Sequence, residues 1–146
     1  MAKKPRVSEQ LRARVAARAG DRCEYCLSPA RYATQRLSVE HASPRGKGGT
    51  NVFENLALSC QGCNYHKYNH VEAPDPVSGE LVPLYNPRQH RWADHFVWSA
   101  DTFLMVGISP IGRATVDALF LNRPGVVNLR RLLVAFNEHP PEEVET

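Results

Sequence analysis

Between Ser8 and Gly20 the apolar residues recur at helical spacing: Leu11, Val15 and Ala19 share one stripe, while Arg12, Arg14 and Arg18 fall mostly elsewhere. Ser8 suits an N-cap and Gly20 a stop, so the pattern predicts a helix to about Ala19 with one face to bury. Alternation of period two follows, Leu37, Val39 and His41 interleaved with Ser38 and Glu40, predicting a strand near Leu37 to His41. Such a strand sends Glu40 and His41 to opposite faces unless a bulge or turn re-aims one. Pro44, Gly46, Gly48 and Gly49 mark a wide loop, Leu56 to Ser59 reads as a returning strand, and a helix of roughly Gly62 to His70 comes next.

Pro74, Asp75, Pro76, Ser78 and Gly79 then form the best linker candidate, placing a boundary near 73 to 80. Beyond it, Leu81 to Tyr85 is expected as a strand and Pro87 to Ala93 as a short turn of helix. His95 to Trp98 with Phe103 to Ile108 is expected as a hairpin around Ser99 to Thr102. Gly112 to Leu121 and a segment opened by Pro124 read as two closing helices. The expected organisation is 1–73, 80–139 and a frayed acidic tail, 140–146. In Trp92, His95, Phe96 and Trp98 core packing is favoured over stacking on bases.

Composition narrows the setting. At 146 residues and 42% hydrophobic content, one real core can be buried but not two independent ones. Residues 1–50 hold eleven Lys and Arg against four acids, whereas 51–100 and 101–146 each carry a net charge of −2. A basic amino-terminal end suits an anionic polymer, because cations that neutralise phosphates release condensed counterions. No apolar core follows the basic start Met1 to Arg6, and Leu132 to Phe136 is far short of a membrane span. The expected location is therefore the cytoplasm, with no membrane association.

The four cysteines form two clips of identical length, Cys23-Glu24-Tyr25-Cys26 and Cys60-Gln61-Gly62-Cys63. Two such pairs can complete a tetrahedral Zn²⁺ site with no open position, which makes the metal structural. A thioredoxin-type dithiol or a disulfide framework is the competing reading, disfavoured in a reducing compartment.

Between the clips the order is Glu40-His41, Pro44, Gly48-Gly49 and Asn55-Leu56, and Asn64 and Lys67 follow the second clip. Over about Arg22 to Asn69 this resembles the HNH endonuclease family. The resemblance implies a ββα-metal core, stapled here by a Cys₄ zinc site; with the N-terminal helix and the C-terminal α+β extension read from the residue pattern, the expected fold class is α+β. By that resemblance His41 is the first signature residue, Asn55 the middle one and Asn64 the last. Because the last position is often His in the family, Asn64 makes this look like the HNN variant. In the extension, Tyr85-Asn86-Pro87-Arg88, Trp92-x-x-His95-Phe96 and Gly112 to Thr115 resemble one group of bacterial HNH proteins.

Chemical reasoning reaches the same residues. Hydrolysis of a phosphodiester needs a cation on the phosphoryl oxygens and a base for the water. Glu40 and Asn64 are hard oxygen donors suited to Mg²⁺ or Mn²⁺, and a neutral His41 can deprotonate the attacking water. Asn55 is expected to tie the long loop by hydrogen bonds to backbone and so help orient His41. Tyr68, at i+4 from Asn64, is a poor substitute for a further ligand. Arg45, Lys47 and Lys67 are the candidate phosphate contacts. His66 and His70 read as surface residues or phosphate contacts, and Arg113, Arg130 and Arg131 as phosphate contacts or solvated side chains.

The expected activity is single-metal hydrolysis of DNA rather than RNA. A zinc-dependent nucleic-acid-binding module without turnover is the alternative, and a redox or zinc-sensing protein the third.

Overall fold

The computed structural model describes residues 7–43 and 52–142. Helix α1 spans Glu9–Arg18, and the Ser8 side chain accepts from the Leu11 amide at 3.1 Å. Glu9 in its first turn and Arg18 in its last complement the helix dipole. Gly20, at φ +67°, supplies the left-handed residue that stops it. Val15 is fully buried, with Leu11 and Ala19 packed beside it. Two of the arginines expected to face away are tied inward instead. Arg12 donates to the Leu37 carbonyl, while Arg18 donates to the carbonyls of Phe53, at 2.8 Å, and Leu56 and lies 3.8 Å above the Phe53 ring.

The first clip is a tight knuckle closed by the Cys23 amide on the Ser28 carbonyl at 3.0 Å. Strands β1 (Ser38–His41) and β2 (Leu56–Ser59) pair antiparallel, with Glu40 opposite Ala57 and His41 opposite Leu56. All of β2 is buried. In β1 the buried residue is Glu40, against the alternation of apolar residues that predicted this strand. Helix α2 (Gln61–Lys67) follows, capped by the Cys60 sulfur on the Cys63 amide. It ends three residues before the expected His70, because Tyr68 turns to φ +46°.

The segment expected as a linker is a hairpin, β3 (Glu72–Pro74) paired with β4 (Leu81–Pro83). Its turn is organised by Asp75, which accepts from the Val77 amide and the Ser78 hydroxyl and forms a two-bond pair with Arg113, both contacts at 2.9 Å. A short helix α3 (Trp92–His95) then leads into a second hairpin, β5 (Phe96–Trp98) with β6 (Met105–Gly107). Helices α4 (Pro110–Ala118) and α5 (Pro124–Ala135) close the described chain. Helix α4 lies directly on β6. A Cβ at Gly107 would stand 2.3 Å from the Arg113 amide nitrogen, and one at Gly112 2.0 Å from the His95 carbonyl oxygen.

One core runs through both halves: Val15, Tyr25, Leu56 and Leu58 are continuous with Tyr85, Trp92, Phe96, Met105, Leu121 and Val126. Trp92 packs against Phe96 and Trp98 at centroid distances of 5.6 and 5.5 Å, so the aromatic group is core. No helix among the described residues is long and apolar enough to cross a membrane.

Candidate active site and metal centre

The two clips converge. The sulfurs of Cys23, Cys26, Cys60 and Cys63 all lie within 4.8 Å of one another, and the Cys26 and Cys60 sulfurs are 3.7 Å apart. A tetrahedral Zn²⁺ with Zn–S bonds of about 2.3 Å requires sulfur separations of about 3.8 Å, so the cluster fits that ion. All four thiols are free, and 3.7 Å is far beyond a disulfide bond. Hydrogen bonds from the neighbouring sulfurs hold the Cys26 thiol well below its ordinary value, whereas burial drives Cys23 well above it.

β1 carries the next layer. The Glu40 carboxylate points inward, accepting from the Tyr25 hydroxyl at 2.6 Å and standing 3.7 Å from the Lys67 ammonium. Burial raises the Glu40 pKa despite the opposing pull of Lys67 and Tyr25. The same burial, with the Glu40 charge, pushes the Tyr25 hydroxyl well above its usual range. Asn64 lies on α2, three residues before Lys67, and is half-buried. His41 is half-buried at the last paired position of β1.

Asn55 stitches the strand exit. Its amide accepts from the Ser43 N–H at 2.9 Å and donates to the Ser43 carbonyl at 3.0 Å, and its own carbonyl accepts from the Ala42 N–H at 2.7 Å. The two residues after His41 are thereby held on both sides. Beside them opens a cavity of about 280 Å³, lined among others by Ala42, Ser43, Lys67, His70, Tyr85 and His90.

Several expected contacts lie elsewhere. Lys67 is committed to Glu40 and almost completely buried, so it faces the carboxylate rather than a surface phosphate. Arg113 is clasped to Asp75, and Arg130 is 2% exposed, bonded to the carbonyls of Phe103, Leu121 and Cys26. Arg130 is therefore not a solvated or phosphate-facing side chain, whereas Arg113 stays partly exposed while committed to Asp75. Tyr68 is exposed, His66 packs against Phe120 at 4.8 Å between centroids, and Arg45 and Lys47 lie outside the described residues.

Two residues contact the clips without a sequence signal for that contact, although Arg88 belongs to the Tyr85 to Arg88 motif. Arg88, from the segment after β4, donates to Glu24 within the first clip and to the Leu56 carbonyl at 3.2 Å. Arg123 reaches the sulfurs of Cys60 and Cys63. Burial works against its charge, yet the sulfurs of Cys63, Cys26 and Cys60 push its pKa up. An odd arginine 60 residues from a cysteine shows no periodicity, and only the fold brings them together.

The order is thus a clip, an antiparallel pair that carries Glu40 and His41, a second clip, and a helix that carries Asn64. Residues 23–70 match the HNH endonuclease family model. No curated protein and no solved structure matches the chain significantly. The matched segment holds both clips, β1, β2 and α2, and suggests a nuclease-type or nucleic-acid-related function. Arg88, Arg123 and Arg130 reach into it from outside the matched segment.

Proposed function

We propose that the protein is a divalent-metal-dependent endonuclease that hydrolyses phosphodiester bonds of DNA, leaving 5′-phosphate and 3′-hydroxyl ends. What supports this reading is that Glu40 and His41 stand together at the exit of β1, a strand end locked by Asn55, with α2, which carries Asn64, tied to Glu40 through Lys67. Glu40 and Asn64 would hold an ion of the Mg²⁺ or Mn²⁺ type. When bound, it supplies positive charge to the phosphoryl oxygens and the leaving group. Tyr25 and Lys67 engage Oε1 of Glu40, and the carboxylate has a second oxygen to offer.

His41 takes a proton from the attacking water, acting from the strand face opposite Glu40. Asn55 is a positioning residue: by holding Ala42 and Ser43 it restricts the backbone from which the imidazole projects. The cavity along Ala42 and Ser43 leaves room for the nucleotide next to the reacting phosphate. Arg45 and Lys47, outside the described residues, are the phosphate contacts of this reading. Replacing both with Ala is expected to weaken binding to unrelated duplexes equally and flatten the salt slope by about 0.9 per lost contact.

A second reading, a nucleic-acid-binding module without turnover, is favoured by one observation: one oxygen of the Glu40 carboxylate is already engaged by Tyr25 and Lys67. Plasmid cleavage with Mg²⁺, with Mn²⁺ and with EDTA, run beside His41→Ala, decides between them. Metal-dependent nicking lost in the variant supports hydrolysis, whereas DNA binding with no cleavage under any metal supports the module.

A further inference from the structure

Helices α4 and α5 are joined by a short turn whose arginine does not face solvent. The Arg123 guanidinium is oriented by its own turn, through Nη1 to the carbonyls of Leu119 at 3.3 Å and Phe120 at 3.1 Å. It then spans the second clip, with Nη2 at 3.4 Å from the Cys60 sulfur and 3.5 Å from that of Cys63, and Nη1 at 3.6 Å from Cys63. The clip is shaped to receive it. A Cβ at Gly62 would lie 2.6 Å from Nη2 and 3.0 Å from the guanidinium carbon, so any larger residue there would displace the arginine. Among the four cysteines, Cys23, Cys26 and Cys63 are buried and Cys60 alone is partly open. The guanidinium therefore stands on the most accessible sulfur.

The chemistry of such a contact is definite. Four thiolates around one Zn²⁺ leave two net negative charges in a largely buried site. A guanidinium that donates N–H bonds to two of the sulfurs offsets part of that charge and withdraws electron density from their lone pairs. A thiolate so engaged is a weaker nucleophile. Outer-shell partners of this kind commonly change metal affinity by about 10–100-fold.

We infer that Arg123 is a built-in guard of the zinc site, supplied by the C-terminal extension to the second clip. It makes Cys60 and Cys63 inert toward electrophiles and slow to give up the metal. The extension then has a function apart from cleavage chemistry: it turns a four-thiolate cluster with one open edge into a closed structural site. This inference is independent of whether the chain cuts DNA.

The test uses the full-length, zinc-loaded protein. Zinc release is followed with a chromogenic chelator during treatment with iodoacetamide, and the alkylated cysteine is identified by mass spectrometry. Arg123→Met is expected to speed both zinc release and modification of Cys60 by roughly tenfold or more, with far-ultraviolet circular dichroism and tryptophan fluorescence unchanged. Arg123→Lys, which keeps the charge but loses the fork, is expected between parent and Met. Gly62→Ala is the companion variant. It leaves Arg123 in the chain, improves helix propensity in α2 and displaces only the flexible guanidinium, so faster release is expected there too. If Arg123→Met does not fold, Gly62→Ala decides by itself. Parent-like release and Cys60 modification in either folded variant would overturn the inference.

Discussion

Glu40 and His41 are neighbours in the chain, yet they sit in different environments, and their variants should fail in different ways. His41 belongs to the strand exit, and His41→Ala is expected to keep the fold and the zinc while lowering cleavage by about 100-fold or more. Plasmid nicking rates on protein verified by circular dichroism and metal analysis measure this, and cleavage at the parent rate would remove His41 as the base. Glu40 is coupled to the interior. Truncating it leaves the Lys67 ammonium buried without its counter-charge, a situation that costs about 3–5 kcal/mol. Glu40→Ala is therefore expected to lose stability as well as affinity for the divalent ion, whereas Glu40→Ala combined with Lys67→Met should recover much of the stability and none of the cleavage. Denaturant titrations of the single and double variants test the coupling. Additive losses would show that the pair contributes nothing as a pair.

Elements whose local chemistry agrees with their surroundings were legible from the sequence. Ser8 and Gly20 bracket α1, Pro124 opens α5, the two strands fall where they were expected although β1 buries Glu40 rather than its apolar face, and the clips converge as the cysteine spacing implies. What local pattern could not show is the use made of charged residues at a distance. Pro74, Asp75, Pro76, Ser78 and Gly79 have the composition of a linker, but Asp75 is buried in a hairpin turn because Arg113, 38 residues away, arrives to bond it. The same blindness applies to Arg12, Arg18 and Arg130, whose partners are backbone carbonyls, with the Asn122 side chain added for Arg130, and so carry little sequence signal. The hairpin clasp has a pH signature. Hydrogen bonds from Arg113 hold the Asp75 carboxyl well below its usual range, overcoming the opposing effect of burial. The unfolded chain titrates near the ordinary Asp value of about 3.9. The stabilisation is thus fully present above that value and lost as pH falls toward the lower folded value. Asp75→Asn is expected to lower the melting temperature clearly at neutral pH, with the gap to the parent narrowing below about pH 4. Paired thermal melts check this, since acid loss of zinc affects both proteins alike. A gap independent of pH would mean that the charge of Asp75 is not what clasps the hairpin.

At the scale of the whole molecule, the HNH domain and the extension share one core and exchange polar contacts at the clips. Arg88 bonds Glu24 in the first clip, Arg130 bonds the Cys26 carbonyl, and Arg123 covers the second clip. Leu84, Tyr85, Trp92 and Phe96 continue the apolar cluster that begins at Val15 and Tyr25. A segment ending at residue 73 would expose that cluster and leave Glu24 without Arg88. Zinc binding to small structural sites contributes about 10–16 kcal/mol, more than the total stability of most single domains. When that energy is delivered at the junction of two sets of elements, both should depend on it. Chelation of zinc from the full chain is therefore expected to abolish the native fluorescence of Trp92 and Trp98, which lie outside the matched segment, in the same transition that removes the helical signal. A fragment of residues 1–73 is expected to bind zinc at least tenfold more weakly and to lack a cooperative melt. Fluorescence and circular dichroism recorded together during chelator titration test the first expectation, and zinc competition on the fragment tests the second. If the tryptophans kept their native signal after the metal left, the extension would be a separately folded body, and its arginines would be passengers on the zinc site rather than part of it.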